Sequence, residues 1–232
     1  MFESKYSNFL TILLVIVIIA IVGCLVFVGY KVFQQFNSTK DATDYVNSFL
    51  ENATNNVNNT NVPTENTVTP NEGNNDILNQ INSTPSSGGG TASGNVQTYK
   101  GYVVIGTIEI PEIKLSYPIL KTAGPSELDV SVGMLYGVGP NKPGNTLIIG
   151  HNYRNGQFFA NNKNLSIGDK IYITDLSGQR LSYTIYDKFE TTTEDTEHIT
   201  RNTNGAREIS LQTCTDDGSM RLIILAKCDM DS

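Results

Sequence analysis

The hydrophobic pattern divides the chain into stretches of different character. From position 9 to 30 nearly every residue is apolar and none is charged. A run with no polar face that can cross a bilayer as a helix of about 20 residues reads as a membrane span. A cleaved secretory signal has a shorter apolar core followed by a small-X-small site, and no such site is present after this run, so the pattern predicts an uncleaved signal anchor. Ile21-Val22-Gly23-Cys24 also fits a lipoprotein cleavage box, which would lipidate Cys24. The apolar run continues through positions 25–28, where a lipoprotein turns polar, and either reading leaves a tether at the membrane. Lys5 is offset by Glu3 and Lys31 lies just past the span, so flanking charge does not orient it.

Between 31 and 99 the periodicity disappears into Asn, Thr, Ser and Gly, as in Asn55-Asn56-Val57-Asn58-Asn59 and Pro85-Ser86-Ser87-Gly88-Gly89-Gly90. Hydrophobicity this low does not offset the entropy of ordering, and the stretch is predicted to be a disordered linker. Residues 44–52, with Tyr45, Val46, Phe49 and Leu50 on one side, and 76–81 are short enough to be marginal helices alone. As a coil of about seventy residues the linker would span roughly 45 Å r.m.s., a leash that lifts the C-terminal domain away from lipid.

From 100 to 232 the pattern becomes short β-branched runs broken by Gly, Pro, Asn and Asp, the signature of an all-β domain. Strands are predicted at 102–110, 113–120, 146–150, 170–174, 181–188, 208–213 and 221–226, with a tight turn over 176–179. Short helices are predicted to start at Pro125 and Gly156. About 130 residues can bury one core, and a barrel removes the exposed sheet edges.

Charge and cysteine content narrow the function. A net charge of -7 and a pI near 4.8, with no basic stripe, exclude nucleic-acid binding. Cys24, Cys214 and Cys228 form no disulfide framework. Cys214 ends the run 208–213, His151 comes directly after the run 146–150, and residues at strand ends can meet at one rim of a barrel. A catalytic cysteine needs an imidazole or a positive field to favour thiolate. Arg221 lies seven residues past Cys214, and a compact turn over 215–219 would set the two opposite each other on antiparallel strands. There a guanidinium can steady an oxyanion. The same register puts Cys228 about 23 Å from Cys214, too far for a disulfide. His198, in a polar stretch, is expected to face solvent, and the acidic group Glu194, Asp195 and Glu197 to be a solvated loop without a full calcium ligand set.

Ser210-Leu211-Gln212-Thr213-Cys214, Ile149-Gly150-His151-Asn152 and Arg221 together resemble the sortase family, whose nucleophile motif reads Thr-Leu-X-Thr-Cys; Ser210 replaces the leading threonine. The resemblance covers residues 102–227. It implies a closed eight-stranded sortase-type β-barrel with short helices over 100–232, preceded by a transmembrane helix at 9–30 and the linker at 31–99, with residues 1–8 cytoplasmic and the catalytic domain extracellular on a single-pass cell-membrane protein. The catalytic set would be His151, Cys214 and Arg221, with Leu211, Thr213 and Thr215 at the substrate and the Thr215 backbone N–H helping to hold the oxyanion. No metal or other cofactor is implied, although some sortases bind calcium near the position of the acidic loop. The implied reaction is cleavage of a Leu-Pro-X-Thr-Gly-like sorting signal on a surface protein, then transfer through a thioacyl enzyme to a peptidoglycan precursor amine. An anchoring enzyme fits better than the pilus-polymerising branch, because the chain ends shortly after the Arg221 strand and the loop from 188 to 208 is modest.

Two other classes compete. One is a non-catalytic adhesion or binding module on a membrane stalk. The other is a cysteine peptidase or wall transpeptidase of different fold; papain-like enzymes place cysteine before histidine, and those wall transpeptidases carry a Ser-His-Gly-Cys segment that is missing here.

Overall fold

Alternation of apolar and polar residues resolves into strands in the computed structural model, which describes residues 3–58, 96–153 and 155–231. Among them are β1 (Thr98–Tyr99), β2 (Tyr102–Ile110), β3 (Leu115–Leu120), β4 (Val132–Gly137), β5 (Gly144–Ile149), β6 (Lys170–Asp175), β7 (Arg180–Thr191), β8 (Arg207–Cys214) and β9 (Arg221–Cys228). Neighbours run in the order β2-β3-β4-β5-β8-β9-β7-β6, and β6 pairs back onto β2 to close an eight-stranded barrel, while β1 is a short hairpin extension of β2. Closure leaves the eight strands without an open edge. Inward-facing Ile108, Ile148, Ile173, Ile185, Leu211, Ile224 and Ala226 are buried in one core. Each buried Ile or Leu contributes roughly 1.5–3 kcal/mol relative to exposure.

Most joints are antiparallel, but β3 with β4 and β5 with β8 are parallel. The second of these matters for chemistry. Parallel neighbours end at the same rim, so the residues just past β5 and those that finish β8 come together there. The crossover between them holds β6, β7 and the short helix α3 (Glu197–Thr200).

Several local expectations change. β4 was not predicted: Gly133 and Gly137 interrupt its β-branched signal, and only two of its residues pair with β3. Gly133 is required where it stands, because a Cβ would lie 2.3 Å from the Thr122 carbonyl oxygen. The strand expected from 113 begins at Leu115, after a 3-10 turn over Pro111–Ile113. The helix expected at Pro125 is present as α2 (Pro125–Leu128). That expected at Gly156 is instead a turn closed by a bridge between Asn152 and Phe158, with a 3-10 turn over Asn162–Asn164 after it. The 176–179 turn is as expected: the Asp175 carboxylate accepts from the Ser177 and Gln179 backbone N–H groups, and Gly178 takes a φ of 84°.

The largest correction concerns the linker. Helix α1 spans Glu3–Asn58, so residues 31–58 are helical rather than disordered; the short helix expected at 76–81 lies outside the described residues. The physical reason is tertiary. Ala42, Val46 and Phe49 recur at helical spacing and are buried, and Tyr45 packs edge-on against Tyr99 with ring centroids 5.1 Å apart. A helix too short to persist alone is held by packing of one face. Within α1, Phe9–Tyr30 is apolar enough to cross a membrane, with mean hydropathy 3.4 and none of it buried.

Candidate active site

Three adjacent strands bring thiol, imidazole and guanidinium to one rim. Cys214 closes β8 and pairs directly with Arg221, the first residue of β9. The turn between them keeps this register, since the Thr215 N–H donates to the Met220 carbonyl at 3.0 Å. That bond makes Thr215 and Met220 the hydrogen-bonded pair, and antiparallel alternation then makes Cys214 and Arg221 a non-hydrogen-bonded pair, with Cα atoms about 4.5 Å apart and side chains on one face. On the other side of β8, Ile149 is in parallel register with Gln212. The alignment continues past the strand end: Gly150 N–H donates to the Gln212 carbonyl at 3.2 Å, and the Thr213 hydroxyl donates to the Gly150 carbonyl at 2.8 Å. This register carries His151, just past the strand end, to the same rim as Cys214.

The histidine loop is anchored from several directions. Gly150 can approach its neighbours because it has no Cβ; one would meet Val132 Cγ1 at 2.9 Å and Phe159 Cδ2 at 3.0 Å. His151 stacks on Tyr153, with centroids 4.9 Å apart and planes 20° apart, and its Nε2 lies 4.0 Å from Asp129 Oδ1. The Tyr153 hydroxyl donates to the same carboxylate oxygen at 3.0 Å, and burial first, then this bond, raises the phenol pKa. Both members of the His151 and Asp129 pair are more than a third exposed, so its main effect is orientation. Phe158, at a φ of 52°, occupies a backbone region rare for a bulky residue; its N–H donates to the Tyr117 hydroxyl at 3.3 Å and its ring is buried between Tyr117 and Tyr153. Asn152 joins loop to nucleophile: its Nδ2 donates to the Cys214 carbonyl at 2.9 Å and to Asp216 Oδ1 at 3.1 Å.

Around the thiol lies a cavity of about 150 Å³ lined by Asn152, Phe159, Lys163, Glu190, Thr215 and Leu222 among others. A more open polar cavity of about 490 Å³ adjoins it, sharing Asn152, Ala160, Lys163 and Asp216. Lys163 is paired with Asp216 at 2.7 Å. In the β8–β9 turn, hydroxyls of Thr215 and Ser219 and the Ser219 N–H hold the Asp217 carboxylate, lowering its pKa to about 2. Arg221 Nη1 donates to the carbonyls of Met220 at 3.1 Å and Gly218 at 3.4 Å. Its Nε and Nη2 have no acceptor among the described residues, so they are available to a ligand at the rim.

Of the residues expected at the substrate, only some reach the cleft. Leu211 is fully buried in the barrel core and is not a substrate contact. Thr213 borders the cavity, but it is 4% exposed and its hydroxyl is spent on Gly150. Thr215 lines the cavity, yet its N–H is committed to Met220 and is not free for an oxyanion. The motif places these side chains along one strand without showing which of its faces is inside.

His198 also departs from expectation. It is buried, with Nε2 2.8 Å from Gln212 Oε1, because α3 folds back over the outer face of β5 and β8 and is pinned there by Asn145 Nδ2 donating to the carbonyls of His198 and Ile199. Glu194 and Asp195 have lowered pKa values, first through hydrogen bonds from Thr193 and Thr191 respectively. No group of three potential metal-ligating side chains occurs among the described residues. Cys228 is buried at the far end of β9, level with Tyr183. Asn152, Tyr153 and Asp129 were missed as site residues; only Asn152, beside His151 in the Gly-His-Asn segment, carried a sequence signal.

The rim of the barrel thus gathers a thiol, an imidazole and a guanidinium from the ends of neighbouring strands. The family model described as "Sortase: Sortase domain" matches residues 108–229, and the chain belongs to the sortase family. It is 30% identical over 139 residues to "Sortase A" of Streptococcus agalactiae serotype III (strain NEM316), covering 54% of this chain and 53% of that protein. It is 31% identical over 124 residues to "Sortase A" of Bacillus anthracis, covering 52% and 58%. The matched region is thus a little over half the length of each of these relatives. Among solved structures, a Clostridium perfringens sortase D5 transpeptidase superposes with a TM-score of 0.50 at 29% identity, over 54% of this chain and 79% of that one. Sortase C-1 from Actinomyces oris gives the same TM-score and identity over 54% and 71%. The matches carry A, C and D sortase names alike.

Proposed function

We propose that this chain is a membrane-anchored cysteine transpeptidase that cleaves a Leu-Pro-X-Thr-Gly-like C-terminal sorting signal and joins the surface protein to a cell-wall amine through a thioacyl enzyme. The observation that carries the reading is the convergence at one rim of His151, just past the end of β5, Cys214 at the end of β8 and Arg221 at the start of β9. The Cys214 thiolate attacks the threonyl carbonyl, and the carbonyl electrons move to an oxyanion. Arg221 steadies that oxyanion through N–H groups not engaged by the turn. Collapse breaks the scissile C–N bond, and His151 donates a proton to the departing glycine amine, leaving a thioester on Cys214. The incoming cell-wall amine then attacks the thioester, His151 takes its proton, and the new amide forms as the thiolate leaves.

The substrate is the sorting signal of a surface protein and the acceptor a peptidoglycan precursor. Residues 9–30 anchor the protein in the cell membrane as a single span, with the barrel outside the cell and residues 1–8 in the cytoplasm. No cofactor takes part in these steps. The test is mass spectrometry of the full chain incubated with a sorting-signal peptide. A thioacyl adduct on Cys214 is expected, absent in Cys214→Ala and retained in Cys228→Ala. His151→Ala should lose turnover and flatten the pH dependence of iodoacetamide alkylation; an adduct that survives in Cys214→Ala sinks the mechanism.

A further inference from the structure

Gln212 stands two residues before Cys214 on the same outward face of β8, in the row formed with Ile149 and Ile223. The next row on that face, Leu147, Ser210 and Leu225, is buried, and so is Ile223 beside Gln212 on β9, whereas Ile149, Gln212 and Cys214 are half-buried. Along β8 the accessible part of the outer face therefore runs from Cys214 to Gln212 and stops there.

The orientation of the Gln212 carboxamide is set by His198. That residue is 5% exposed, and its carbonyl accepts from Asn145 Nδ2 at 3.1 Å, Arg201 Nη1 at 2.9 Å and Ser210 Oγ at 3.3 Å, so its backbone is fixed. Its Nδ1 is buried with no partner among the described residues. A buried N–H without an acceptor is rarer than a bare acceptor, which puts the ring proton on Nε2. Nε2–H then donates to Gln212 Oε1 across 2.8 Å, and the amide NH₂ is turned away from the histidine. Those amide hydrogens have no acceptor among the described residues.

We propose that Gln212, aimed by His198, is a specificity-determining hydrogen-bond donor that reads a backbone carbonyl of the extended acyl-donor peptide. Two residues along a strand span about 6.8 Å, the advance of two residues in an extended peptide; in a donor peptide lying parallel to β8 the carbonyl read is the one two residues before that which Cys214 attacks. The inference rests on the transpeptidase reading above and adds the residue that sets register along the donor peptide.

The experiment uses the full chain in detergent, a Leu-Pro-X-Thr-Gly peptide, and the same peptide with that upstream carbonyl reduced to a methylene. Gln212→Met keeps length and removes the donor. It should raise the KM for the intact peptide roughly three- to tenfold, the range for one neutral hydrogen bond. Its kcat at saturation, its KM for the acceptor amine and alkylation of Cys214 should stay at wild-type values. On the reduced peptide, wild type and Gln212→Met should coincide, a result that a purely structural role would not produce. His198→Phe, which leaves the carboxamide unaimed, should raise the same KM without changing alkylation. An unchanged KM in Gln212→Met, or an equal rise on both peptides, overturns the proposal while leaving transpeptidation standing. A wild-type chain that forms no thioacyl adduct takes down both.

Discussion

The side-chain amide of Asn152 donates to the backbone carbonyl of Cys214, so the loop that carries the imidazole is bonded to the strand end that carries the thiol. Asn152→Ala leaves that carbonyl without its partner and frees the loop. One lost hydrogen bond costs about 1 kcal/mol, and loss of alignment at reacting atoms can cost up to about 10²-fold in rate. The expected result is a kcat/KM lowered between about five- and a hundredfold, with Tm down by about 2–4 °C. Steady-state kinetics and a thermal melt on the same sample check it.

Arg221 sits opposite Cys214, and its Nη1 is already tied to the turn. Arg221→Lys would replace a planar fork with one point charge. Loss of kcat is expected on the order of the 10²–10³-fold measured for removing one oxyanion donor, with iodoacetamide alkylation of Cys214 unchanged. A lysine variant that turns over at close to the wild-type rate would rule out the oxyanion role.

The seam between α1 and the barrel should behave as core. Phe49→Ala removes a buried ring and is expected to cost about 3 kcal/mol of docking free energy. Asp41→Asn breaks only the 3.9 Å pair with Lys100, whose partners are both well exposed, and should change little. Limited trypsinolysis reads the difference: cutting after Lys40 and Lys100 should accelerate in Phe49→Ala and stay slow in Asp41→Asn.

Asp231 supplies an acid-sensitive clasp. It accepts from Arg207 Nη2 at 2.6 Å, from Nε at 2.8 Å and from the Arg207 backbone N–H at 2.7 Å; the Arg207 side chain first, then its N–H, lowers the carboxyl to about pKa 2. A depressed carboxyl adds stability above its unfolded pKa of about 3.9 and loses it as pH falls through the folded value. The Tm gap between wild type and Asp231→Asn should therefore be full at pH 7 and close between about pH 4 and pH 2. A gap that persists at pH 2 would show that the clasp is not what the substitution removes.

Opposition of Cys214 and Arg221 was legible in the sequence because the turn 215–219 is local and rich in turn formers, so antiparallel pairing came from counting. Convergence of His151 on the same rim was only half legible. It depends on the parallel joint of β5 with β8, made by a crossover of more than fifty residues that has no local signature. β4 was hidden by its own glycines. Of the seam residues, Tyr45, Val46 and Phe49 were visible as one helical face and Ala42 was not, and Tyr99, the partner that orders them, lies beyond a long polar stretch. His198 was misread for a similar reason: polar neighbours suggest solvent, while burial comes from Asn145 and Gln212, distant in sequence.

Ala42 lies twelve helical residues past Tyr30, a rise of about 18 Å. With the apolar span seated in a bilayer, as proposed, α1 is a strut and sets the barrel at one altitude over the lipid. A flexible leash would have spread the catalytic rim through a dome tens of ångströms deep and diluted it there. A strut confines it to a thin sheet parallel to the membrane, so its meetings with membrane-held donors and acceptors become a search over area. Productive encounters are then set by where along a client its sorting signal sits above the lipid, and lengthening or shortening the spacer beneath that signal should tune turnover in cells without altering a contact in the active site.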